Sequence, residues 1–152
     1  MLLKTHRAVT IAAATYYLME TQQPAINYSY LIAVAIGTAL PDIDSSSSLL
    51  GRIFSPISRM LRHRGITHSL YAVIAMALWA YFSGSRFVIA LAFGYIMHIV
   101  EDGFSSAGID WLMTGYALQL PFSYTVGSRF ETWLRWSSCL ATIIFILWAF
   151  GV

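Results

Sequence analysis

Five mainly apolar, helix-length stretches of this chain carry no charged side chain: 8–19, 21–41, 69–85, 87–100 and 136–152. A soluble domain draws its surface from charges, roughly 25% of its residues. Here 11% are charged and 58% are hydrophobic. The chain therefore reads as an integral membrane protein, an all-α bundle forming a single membrane-embedded domain over residues 1–152. Cys139 stands alone in an apolar run, so neither a disulfide nor a cysteine metal site is available.

About five transmembrane helices and a short interfacial helix are expected. Lys4 and Arg7 ahead of a short apolar run imitate a signal peptide, but no small-residue cleavage pattern follows, so residues 1–19 read as an uncleaved first helix. The second runs from about 25 to 40 and stops at Pro41, which disfavours helix in the residue before it. Leu49, Leu50, Ile53, Phe54, Ile57, Met60 and Leu61 then repeat at helical spacing opposite Arg52, Ser55, Arg59 and Arg62, as an interfacial segment would. Ser55-Pro56 allows it to be two short helices. A third helix over 67–82, capped by Thr67, turns through Ser83-Gly84-Ser85 into a fourth over 86–103. Residues 103–131 form a long loop, with Trp111, Tyr116, Phe122 and Tyr124 packing it at the interface, and the last helix begins near Thr132. Several of these helices are short against the about 20 residues that a bilayer core requires. Their polar ends are therefore expected near headgroup level.

Alternating passes bring the chain's polar residues to one side. The start of the first helix, the end of the second, the start of the third and the end of the fourth carry His6, Asp42, Asp44, His63, His68, His98 and Asp102. Lys4, Arg7, Arg52, Arg59, Arg62, Arg64, Arg129 and Arg135 lie on that side, and Arg86 lies opposite, which makes the clustered side cytoplasmic.

Each motif alone has a plain structural reading: His98 and Asp102 as an i, i+4 hydrogen bond, Asp42 and Asp44 as a turn after Pro41, His63 as a solvated residue between arginines. Their convergence argues for more. Two carboxylates so close repel unless a cation lies between them, and ionisable groups at membrane depth are usually functional. His6, Asp42, Asp44, His68, His98 and Asp102 are the candidate metal ligands, with His63 as a ligand or a neighbouring catalytic group. Imidazole and carboxylate together suit zinc, manganese or iron, as one ion or two. Arg64, with Arg62 in reserve, is the candidate for holding an anionic substrate. Glu101 lies about 100° around the helix from Asp102 and is given a supporting place or none.

Leu40-Pro41-Asp42-Ile43-Asp44, His63-Arg64-Gly65-Ile66-Thr67-His68-Ser69 and His98-Ile99-Val100-Glu101-Asp102, followed by Ser105 and Gly108, resemble the YdjM-type family. His6, Leu120-Pro121, Gly127 and Glu131 extend the likeness over nearly the whole chain, and Ser105 replaces the usual threonine. The resemblance implies a multi-pass protein of the bacterial inner membrane and a metal-dependent hydrolase of undefined substrate. The expected activity is cleavage of a phosphoester or other ester of a lipid or membrane-associated molecule by metal-activated water. The rival is a metal carrier, sensor or structural metal site without hydrolase activity. Helix interiors offer little polar path for a carrier beyond Thr10, Ser29 and Thr38. No HExxH zinc-protease motif is present, and the HxxxD of His98 and Asp102 lacks the partner elements of a histidine phosphatase. With no nucleic-acid-binding motif, no nucleic-acid partner is expected.

Overall fold

Asn27, Ser48, Ser69 and Ser128 each accept a backbone N–H three residues on, and each starts a helix. The computed structural model describes residues 1–21, 27–61 and 64–151. Its helices are α1 (Leu3–Glu20), α2 (Tyr28–Gly37), α3 (Leu49–Ile53), α4 (Ser55–Met60), α5 (Leu70–Ser83), α6 (Arg86–Gly103) and α7 (Arg129–Ala149). Short 3-10 turns at Pro41–Asp44 and Ile66–His68 precede α3 and α5. The chain is all-helical among the described residues apart from two isolated β-bridges, Ser105 with Tyr124 and Ile109 with Leu118.

The expected boundaries shift where a better cap lies nearby. α2 begins at Tyr28 behind Asn27 and stops at Gly37, ahead of Pro41. α5 begins at Leu70 because Ser69 is its cap, which leaves the Thr67 hydroxyl to bond Asp44 instead. α7 begins at Arg129 rather than near Thr132, since Ser128 caps it. The interfacial segment is two short helices, α3 and α4. Residues 104–128 are a loop tied back by Leu120 N–H to Gly103 O and Tyr124 N–H to Phe104 O.

Five transmembrane helices are not supported. Among the described residues only α7, 21 residues long, is long and apolar enough to cross a membrane. At about 1.5 Å per residue, α2 with its 10 residues and α5 with its 14 fall well short of a core of about 30 Å. α1 and α6 have 18 residues each, but the polar cluster occupies one end of both. α7 keeps Trp133, Leu140, Ile143, Leu147 and Trp148 exposed, a surface suited to lipid rather than water.

α2 packs along α6, and α1 along α7. The contact between α2 and α6 is made of small residues. Ala33, Val34, Ala90 and Leu91 are buried there, and a Cβ on Gly94 would overlap Val34 O, as one on Gly37 would overlap Leu91 O. Close backbone approach of this kind is the usual way helices pack when lipid supplies no hydrophobic drive. It also holds the carboxyl ends of α2 and α6 together, where Thr38 and His98 meet. Gly94→Ala is expected to force these helices apart and cost about 1–3 kcal/mol. Thermal unfolding in detergent checks this; an unchanged midpoint would mean that the helices do not approach so closely.

Candidate metal centre

Four elements deliver the polar side chains. The first turn of α1 carries His6, the 3-10 turn after α2 carries Asp42 and Asp44, the 3-10 turn before α5 carries His68, and the last turns of α6 carry His98, Glu101 and Asp102. All three described histidines are buried.

Each of these imidazoles is anchored by its Nδ1. His6 Nδ1 lies 2.7 Å from Glu101 Oε2, and Thr10 holds the other Glu101 oxygen at 2.9 Å. His68 Nδ1 lies 3.2 Å from Asp44 Oδ2. His98 Nδ1 lies 2.8 Å from Thr38 O, a carbonyl left without an intrahelical donor because α2 has just ended. An acceptor at Nδ1 favours the tautomer in which Nδ1 donates, which turns Nε2 toward the centre.

The Nε2 atoms meet two carboxylates. His68 Nε2 is 4.0 Å from Asp42 Oδ1 and 3.8 Å from Asp102 Oδ2. His98 Nε2 is 3.8 Å from each of the same two oxygens. These separations are too long for hydrogen bonds. They are slightly wider than the about 3.4 Å edge of a tetrahedron with metal–ligand bonds near 2.0–2.1 Å. His6 joins from the side, its ring stacked on His98 at 3.9 Å and its Nε2 3.2 Å from Asp102 Oδ1. Two triads thus have donors within 4.8 Å of one another, His6–His98–Asp102 and Asp42–His68–His98, and His98 belongs to both.

The donor set fits a divalent ion. Nε2 of His98 is buried with no hydrogen-bond partner among the described residues, and that of His6 faces Asp102 Oδ1 at 3.2 Å out of line for a hydrogen bond. Buried polar atoms of this kind are rare without a ligand to satisfy them. Burial raises the Asp42 carboxyl above its ordinary value, opposed by His68 and His6 and reinforced by Asp102 and Asp44. A cation among these groups reverses that balance.

The family described as YdjM inner membrane protein matches residues 1–151. This chain belongs to the YdjM family. The inner membrane protein YdjM of Escherichia coli (strain K12) is 29% identical over 160 residues, 94% of this chain and 80% of that protein. The protein of the same name from Shigella flexneri matches with the same figures. No solved structure matches. A YdjM-family chain belongs in the inner membrane, in keeping with the unburied apolar face of α7.

Within this YdjM-family fold, His6, Asp42, His68, His98 and Asp102 come together. Asp44 sits behind His68, where its Oδ2 also accepts from Arg64 N–H at 2.9 Å and Thr67 Oγ1 at 2.5 Å. Arg64, with φ +58°, donates to Asp102 Oδ2 at 3.0 Å and to Gly108 O at 2.9 Å. The Met1 ammonium reaches Asp102 Oδ1 at 2.6 Å. His63 and Arg62 lie outside the described residues. Glu101 has a larger part than sequence reasoning gave it. The signal was available in His6 and Thr10, one turn apart on the first helix, which present a ring and a hydroxyl to the same acid. Glu101→Gln is expected to keep metal stoichiometry and weaken affinity about 10–100-fold. Titration with a competing chelator checks this, and an unchanged affinity would leave Glu101 with no hold on the centre.

Proposed function

We propose that this protein is a membrane-bound, metal-dependent hydrolase acting on a phosphoester or other ester of a lipid or membrane-associated molecule. The observation that carries the reading is the convergence of three imidazoles, each anchored at Nδ1, on Asp42 and Asp102. Anchoring of this kind readies imidazole for metal. When bound, a zinc, manganese or iron ion would acidify a water and offset charge developing on the ester. His6, Asp42, His68, His98 and Asp102 would hold one ion or two; Asp44, Glu101 and the Thr38 carbonyl would orient the rings. Arg64 stands between Asp102 and a cavity of about 450 Å³ bordered by Leu61, Ile66, Gly108 and Met113. From there its fork can hold an anionic part of the substrate. The bias of basic residues toward this end supports a cytoplasmic site in a multi-pass chain.

The burial of the donors favours a second reading, a metal-binding membrane protein without hydrolase activity. Side chains of His68, His98 and Asp102 are at most 4% exposed, and only Asp42, at 20%, opens outward. A panel of chromogenic carboxylic, phosphomonoester and phosphodiester substrates in mixed micelles separates the two. The hydrolase reading predicts turnover of at least one, abolished by chelation and restored by zinc, manganese or iron. It further predicts that Arg64→Lys keeps metal content and loses turnover about tenfold or more, the loss of one charge-assisted hydrogen bond. Metal bound with no turnover across the panel would support the second reading.

A further inference from the structure

The open side of the centre is Asp42, and what lies beyond it is apolar. Asp42 borders a groove of about 280 Å³ between α1, α2 and α3, walled by Ile32, Ile36, Leu49 and Leu50. Ile32, Ile36 and Leu49 are exposed, so these walls face lipid or an occupant rather than other protein. One charged side chain besides Asp42 borders the groove, Arg7. Its Nε is buried without a hydrogen-bond partner among the described residues. Arg64 differs, being engaged with Asp102 and Gly108 O. An apolar channel beside the most open of the donors, with a guanidinium at its edge whose Nε lacks a partner among the described residues, matches an amphiphile in shape and in charge.

We propose that this groove holds the substrate by its tail: it takes a single alkyl chain ending in a phosphate head, the chain between α2 and α3 and the phosphate against Arg7, while Arg64, on the Asp102 side of the centre, meets the charge that develops on the ester as it is cleaved. The head then lies beside Asp42, at the open face of the metal centre. The volume is just below the about 300–1,000 Å³ of most ligand pockets, which suits one chain rather than two. The buried Arg7 Nε gains the partner it lacks, and a charge-assisted hydrogen bond to phosphate is among the stronger contacts available. This assignment rests on the hydrolase reading for its consequence, but the binding step does not need the metal.

The test separates the two. Full-length protein in phosphatidylcholine nanodiscs, stripped with EDTA, is photolabelled with dodecyl phosphate carrying a terminal diazirine. Labelling is expected in α2 and α3, at Ile32, Ile36, Leu49 or Leu50, and is expected to be competed by decyl phosphate but not by inorganic phosphate or decyl maltoside. Arg7→Gln should reduce it about tenfold and Arg7→Lys should restore part of it. Ala35→Trp, which fills the groove from the exposed side of α2, should block it with Arg7 intact. Equal labelling by a dodecanol diazirine, or labelling indifferent to both Arg7→Gln and Ala35→Trp, would show ordinary lipid contact and overturn the proposal. Competition by inorganic phosphate alone would assign Arg7 to a free anion and equally overturn it. Labelling as expected with no ester turnover by the metal-loaded protein would leave the groove standing and remove the hydrolase reading instead.

Discussion

His98→Ala is expected to empty the centre. His98 is the residue shared by both donor triads, so its loss leaves each with two donors. It also stacks on His6 at 3.9 Å and bonds Thr38 O, so its ring helps fix the relative placement of α1, α2 and α6. The drop in metal affinity should exceed the about 10–100-fold expected for an orienting partner such as Glu101. Metal analysis after dialysis against micromolar zinc checks it, alongside His6→Ala. Because His6 belongs to one triad only, His6→Ala should retain metal more tightly than His98→Ala. The reverse order would show that the ion sits nearer α1 than the 3.8 Å contacts of His98 with Asp42 and Asp102 indicate.

Asp44→Ala should be the most damaging single change to the fold around the site. Its side chain is fully buried and takes the Arg64 N–H, the Thr67 hydroxyl and His68 Nδ1 on one oxygen. Each donor left unsatisfied in a buried place costs about 1–3 kcal/mol. The 3-10 turn Ile66–His68 and the positive φ of Arg64 both depend on these contacts, so the entrance to α5 should loosen as a unit. Thermal unfolding is expected to shift by several degrees, with metal affinity falling in the same variant. Asp44→Asn keeps the shape and one acceptor oxygen, and should lie between. If Asp44→Ala unfolds like wild type, the turn is held by its glycine and capping residues rather than by the acid.

Much of the site was legible because its residues are polar exceptions in an apolar chain. His6, Asp42, His68, His98 and Asp102 each lie inside a charge-free stretch or within two residues of its end, and alternating helix directions bring such ends together. What the pattern could not show was which side of each ring faces the centre. That depends on Thr38 O, freed where α2 stops at Gly37, and on Glu101 reaching across to α1. Helix number was legible, but spanning was not. Charge-free runs look alike whether they end in a full span or, as in α2, in a 10-residue helix held against α6 by Gly37 and Gly94. The cap residues moved α5 and α7 for a related reason: Ser69 and Ser128 each place an oxygen at the helix start, where Thr67 and Thr132 do not.

The geometry of Asp42, His68, His98 and Asp102, with His6 beside them, makes them a candidate site for a divalent metal. Elemental analysis of the detergent-purified full-length protein tests this most directly, before and after chelation and after readdition of zinc, manganese and iron in turn. One or two equivalents of a transition metal are expected to be retained through dialysis, removed by chelation and recovered on readdition. Protein that purifies without metal and takes up none at micromolar concentration would contradict this assignment, and would reduce the cluster to a buried network of histidines and carboxylates.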